Sequence, residues 1–105
     1  MLKNYKNLLK EFKKIPGTVI VYGSVATNTS RPDSDIDIAV ISDVDQAKAM
    51  ADDIADDILF KKGKVVSIFY LTFSNLKKRG HEPFIQHILK GEIIHGRKLI
   101  KRFSS

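Results

Sequence analysis

Apolar positions recur along this chain with two different periods. Leu2, Tyr5, Leu8, Leu9, Phe12 and Ile15 fall at helical spacing with Lys, Asn and Glu between them, and Pro16-Gly17 follows. That pattern predicts an amphipathic first helix stopped at the proline. Thr18–Tyr22 (TVIVY) predicts a short buried strand. Residues 23–34 collect Gly, Ser, Thr, Asn and Pro and predict a loop, opening with one helical turn. Asp35–Ile41 predicts the second strand. Ser42-Asp43-Val44-Asp45 then supplies N-cap candidates for a helix. Its apolar stripe is Ala47, Met50, Ala51, Ile54, Ile58 and Leu59, and Asp52, Asp53, Asp56 and Asp57 take the other side.

Lys61-Lys62-Gly63 turns the chain into KVVSIFYLT, a third strand apolar on both faces, which predicts a central place in a sheet. Thr72–Lys78 and Pro83–Lys90 predict two short helices either side of the RGHEP break, and GEIIHG predicts a short edge strand. The order helix, strand, strand, helix, strand, helix, helix, strand predicts an α+β fold, a small mixed β-sheet with helices packed on it.

Composition narrows the class. The 105 residues suit one domain spanning 1–105, and 43% hydrophobic with 29% charged residues is ordinary for a globular chain. The absence of Cys excludes disulfides and thiolate metal sites. No apolar run reaches the length of a membrane span, and the Lys-rich start lacks the apolar core of a signal peptide, so a cytoplasmic location with no membrane contact is expected. The net charge of +6 is unevenly spread, with Lys and Arg towards the two ends and acids from Asp33 to Asp57. A basic surface of this kind attracts polyanions: a nucleoside triphosphate, an acidic protein partner or, less favoured, nucleic acid.

The chemistry centres on VYGSVATNTSRPDSDIDIAV, residues 21–40. Asp35 and Asp37 stand in an otherwise apolar strand, where a carboxylate is expensive to bury. Side chains alternate in a strand, so both acids share one face, about 7 Å apart along the backbone. Two like charges at that separation raise each other's pKa unless a cation lies between them, and an all-oxygen donor set suits Mg²⁺. Magnesium completes its shell with substrate phosphates, so the same face is expected to hold a phosphate site. Gly23-Ser24, at the end of the neighbouring strand, can supply it: glycine lets a ligand approach the backbone, and the N–H groups and the Ser24 hydroxyl can donate to phosphate oxygens.

Gly-Ser, ten residues, then Asp-x-Asp and an apolar strand resembles the signature of the minimal nucleotidyltransferases of the DNA polymerase β superfamily. The Ser-Arg-Pro-Asp-Ser run before Asp35 is similar to that family's loop. The resemblance implies a polymerase-β-like fold, ATP with Mg²⁺, and transfer of a nucleoside monophosphate. It makes Gly23 and Ser24 the triphosphate-binding pair and Asp35 and Asp37 the catalytic metal ligands. It also implies a role as antitoxin to an all-helical toxin of the HEPN class, by adenylylation of a hydroxyl on that partner. Three departures accompany it. Thr27-Asn28 stands where the family often has Arg-Gly, no separate domain is expected to hold a primer, and Ser67 is the only polar residue on the strand where a third carboxylate usually sits.

Two alternatives follow. A binding module that neutralises a toxin by complex formation, with weak transfer, is favoured by Ser67, and a nucleic-acid-binding domain is favoured by charge alone. His81, His87 and His95 make no metal-ligand pattern and read as packing or surface residues. Tyr22, Tyr70, Phe69 and Phe73 offer rings for a base but read first as core.

Overall fold

The computed structural model describes residues 5–23 and 35–96. They form a 3-10 helix (Lys10–Lys14), strands β1 (Thr18–Tyr22), β2 (Ile36–Ile41), β3 (Val66–Leu71) and β4 (Glu92–His95), and helices α1 (Gln46–Lys62), α2 (Phe73–Arg79) and α3 (Pro83–Leu89). Residues 24–34, Ser24 and Thr27-Asn28 included, lie outside the described residues. The fold is α+β with a mixed sheet, as the periodicity predicts.

The sheet order is β3-β2-β1-β4. β1 runs antiparallel to β2 and to β4, while β2 and β3 are parallel and joined through α1. The short strand predicted at GEIIHG is β4, at one edge. β3 occupies the other edge, a correction to the central position expected from its two apolar faces. The reason lies in layering: Val66, Ile68 and Tyr70 pack with the α1 side of the core, and Phe69 and Leu71 with the α2–α3 side. A strand covered on both faces by helices is apolar on both faces whether or not it has a strand on each flank.

The first predicted helix is tighter than expected over its described part. Leu9 N–H donates to the Tyr5 carbonyl at 2.9 Å, and a 3-10 turn follows over Lys10–Lys14 with Phe12 buried. Pro16 drives the residue before it out of the helical region, and Ile15 is extended (φ −75°, ψ 129°). A 3-10 turn is a common way for a helix to end against such a block.

In α1 the buried line is Ala47, Ala51, Ala55 and Ile58, with Leu59 48% exposed rather than in the stripe. Small residues every fourth position let the helix lie close on the sheet, and Leu59, about 100° round from Ile58, falls on the flank. Gly63 ends α1 with φ +65°. The polar residues ahead of α1 tie elements together instead of capping it: Ser42 Oγ accepts from Val44 N–H at 3.1 Å, and Asp43 Oδ1 from Phe73 N–H at 3.0 Å. α2 is capped as predicted, Thr72 Oγ1 accepting from Asn75 N–H at 3.1 Å. α3 opens on Pro83.

Two cores result. Under α1 and the 3-10 helix lie Phe12, Ile15, Val19, Val21, Ile38 and Val40; on the opposite face Ile20, Ala39 and Ile41 meet Leu76, Ile85 and Ile88. Each fully buried aliphatic side chain contributes about 1.5–3 kcal/mol relative to exposure. No helix among the described residues is long and apolar enough to cross a membrane.

Candidate active site

At the open end of the α2–α3 face, three strands contribute one lateral row. Tyr22 of β1 pairs with Asp37 of β2, and Asp37 pairs in turn with Ser67 of β3. Residues paired across strands point to the same side, and Ala39 and Ile41, the next on that side of β2, belong to the α2–α3 core. Asp35 precedes β2 by one residue and is exposed, whereas Asp37 is partly buried.

Gly23 follows Tyr22 directly and turns the chain with φ +74°; a Cβ placed there would lie 2.5 Å from Asp37 Oδ2. Two separate requirements therefore select glycine, the left-handed backbone and the carboxylate against it. The structure thus brings Gly23, Asp35 and Asp37 to one end of the sheet. Ser24, the other residue of the expected pair, is outside the described residues.

The electrostatics follow from this packing. Burial lifts the Asp37 carboxyl above its ordinary range, the Asp35 charge lifts it further, and His87 opposes the rise. The Tyr22 phenol is likewise raised, by burial first and then by the Asp37 charge. Asp37 is therefore an acid held where its charge is costly, the situation a bound cation relieves. The donors at hand are oxygens: two carboxylates, with the Ser67 hydroxyl in register beside them. Such a set fits a hard divalent ion that draws its remaining ligands from phosphates and water. Among the described residues, no cluster of three or more His, Asp or Glu side chains could hold a metal without such help.

α3 adds two residues the sequence assigned elsewhere or passed over. His87, expected as packing or surface, sets its ring 5.9 Å from that of Tyr22 at 88°, close enough for its charge to act on Asp37. Phe84 lies 6.1 Å from Tyr22 and 5.1 Å from Phe69, edge-to-face with both. The i, i+3 spacing of Phe84 and His87 places them on one side of a helix, a signal present in the sequence. Nothing local says which layer that side meets. Of the other rings, Tyr70 points to the opposite layer, where its hydroxyl donates to the Ser42 carbonyl at 2.9 Å, and Phe73 packs in the α2–α3 core.

The family of the nucleotidyltransferase domain matches the chain over residues 2–96. The chain belongs to that family. As a nucleotidyltransferase domain it carries its paired aspartates at the start of β2 and its glycine turn at the end of β1. The fold is similar to a solved structure of a mutant of the toxin–antitoxin complex MntA–HpeT, with a TM-score of 0.56 at 14% identity over 91% of this chain and 73% of the other. No curated protein matches the chain.

Proposed function

We propose that this nucleotidyltransferase domain binds ATP with Mg²⁺ and transfers AMP to a hydroxyl of a protein partner, a HEPN-type toxin, and so acts as an antitoxin. The observation carrying this reading is the close approach of the Gly23 turn to the Asp37 carboxylate, where a Cβ would lie 2.5 Å from Oδ2, beside Asp35. A glycine turn, where phosphates can come close to the backbone, thereby lies against a pair of acids suited to a phosphate-bound cation. ATP and the HEPN-type partner are supported by the resemblance of the Gly-Ser and Asp-x-Asp motif. The toxin context is supported by the likeness to MntA–HpeT.

In the reaction the acceptor oxygen bonds to the α-phosphorus of ATP while the bond to the bridging oxygen breaks and pyrophosphate leaves. Asp35 and Asp37 would hold the metal, which would supply neutralisation of phosphate charge. Gly23, with Ser24 beside it in sequence, holds the β- and γ-phosphates through backbone N–H groups and a hydroxyl. The acceptor proton passes to Asp37 or a nearby carboxylate. The chain's net charge of +6 favours the approach of a polyanionic substrate.

Ser67 favours a second reading. It is exposed and in register with Asp37, the place on β3 where the resemblance implies a third carboxylate. A site with two acids holds the nucleotide and its metal but has a weaker grip on a metal at the acceptor oxygen. The domain would then neutralise its partner chiefly by binding. Incubation of the protein with ATP labelled at the α-phosphate, Mg²⁺ and a co-purified partner separates the two. Label on the partner, absent with Asp37→Asn, is expected for transfer; a stable complex without label is expected for binding alone.

A further inference from the structure

We infer that the half-exposed ring of Phe84 is the platform on which the nucleobase of the bound nucleotide stacks. The inference rests on the reading of Asp35 and Asp37 as the metal-holding pair of a nucleotide site, and it names what the far end of that nucleotide meets.

Five large apolar side chains are exposed among the described residues: Val44, Leu59, Phe60, Val65 and Phe84. Four of them lie on α1 or on the segments leading into α1 and β3. Phe84, at 44% exposure, is the one carried by α2 or α3. Leaving much of a phenyl ring in water forfeits a stabilisation that burial would give, and this ring is nevertheless held in a fixed place. Tyr22 meets it at 81° and Phe69 at 85°. These two props stand on β1 and β3, either side of β2. Tyr22 is paired with Asp37, and Phe69 with Ala39, the next residue of β2 on that face. The small side chain of Ala39 suits a ring that touches both strands flanking β2. Along β2, Asp37 and Ala39 are about 7 Å apart.

The ring thus touches the residue paired with Asp37 and the residue paired with Ala39, which places it near the carboxylate that holds the reacting end. That is within reach of a base joined through ribose to an α-phosphate at Asp37. The triphosphate has the other direction, towards Gly23. A propped aromatic face with no hydrogen-bonding edge of its own suits a flat π system and selects by stacking area, which favours purines over pyrimidines. An aromatic platform of this kind is worth roughly 5- to 150-fold in affinity by removal of the ring.

The chain contains no Trp, so Phe84→Trp installs a single fluorescent reporter at the platform while keeping an aromatic face. Phe84→Leu keeps an apolar side chain against Tyr22 and Phe69 but removes the face. Both variants and the parent are titrated with Mg²⁺–ATP and with Mg²⁺–tripolyphosphate, and their melting temperatures are recorded. The expected result is an ATP affinity lowered by at least about fivefold in Phe84→Leu with tripolyphosphate affinity unchanged. In Phe84→Trp, ATP should bind as in the parent and quench the Trp emission, and tripolyphosphate should not. Unchanged ATP affinity in Phe84→Leu, or ATP binding to Phe84→Trp without any change in emission, overturns the inference. Should Phe84→Leu fold poorly, the emission of Phe84→Trp decides alone. If the parent binds neither ligand, the nucleotide-site reading itself fails, and the inference falls with it.

Discussion

On one face of the sheet β2 presents Ile36, Ile38 and Val40 to α1; on the other it presents Asp37, Ala39 and Ile41 to α2 and α3. The same six residues serve both, yet the first face is aliphatic along its whole length and the second becomes polar at one end. Across the strands the first continues as Val19, Val21, Val66 and Ile68, whereas the second ends in Tyr22, Asp37 and Ser67. The aliphatic face serves stability, and the polar end of the other face is the part available for chemistry. The α1 face can be perturbed only at the expense of the fold, and the row at the end of the other face can be changed while the fold stands.

Ile38→Ala tests the first half of that contrast and has the largest expected effect on stability. Ile38 is fully buried, and its truncation should cost about 2–5 kcal/mol in denaturant unfolding. A loss under about 1 kcal/mol would mean that the α1 face is less tightly packed than the structure shows.

Gly23→Val comes next and strikes both properties together. The branched side chain would meet both the φ of +74° and the Asp37 carboxylate, with a strain of about 1–3 kcal/mol. Melting should fall and binding of Mg²⁺–ATP should be lost. A variant that melts and binds like the parent would remove Gly23 from the site.

Ser67→Asp adds a carboxylate to the exposed end of the row. Little change in melting is expected, because Ser67 is exposed, while transfer of label to a partner should speed up. A transfer rate unaffected by this change would show that position 67 takes no part.

The smallest effect is expected at the half-exposed Arg79–Glu82 pair (3.0 Å) between α2 and α3. The Arg79 guanidinium holds Glu82 below its ordinary range. A lowered folded-state pKa contributes stability above the unfolded-state value and loses it as pH falls through the folded one. Melting of the parent and Glu82→Gln should therefore differ slightly at neutral pH, converge in acid, and differ less in high salt. A large difference that persists in acid would contradict a half-exposed, screened pair.

Much of this was legible in the sequence, unevenly so. The strands at Thr18–Tyr22 and Ile36–Ile41, the cap at Thr72 and the stops at Pro16 and Gly63 are set by neighbours in the chain, and local pattern reads them well. The alternation through Asp35-Ile36-Asp37 likewise predicts two acids on one face. What local pattern does not carry is lateral order. β3 looks central because helices cover both its sides, and only pairing reveals it at the edge. Phe84 and His87 reach the row through the packing of α3 over Tyr22, a contact spanning more than sixty positions of chain. Each of them alone resembles an ordinary residue of a short surface helix.

The central claim is that Asp37 belongs to a metal–nucleotide site and not to the framework. Calorimetric titration with ATP, in Mg²⁺ and in chelator, for the parent and Asp37→Asn, tests it most directly. Binding to the parent should be tight only with Mg²⁺. Binding to Asp37→Asn should be weak and indifferent to Mg²⁺, in a variant that melts no lower than the metal-free parent because a costly charge has been removed. An Asp37→Asn protein that binds Mg²⁺–ATP like the parent, with the same dependence on the metal, would contradict it.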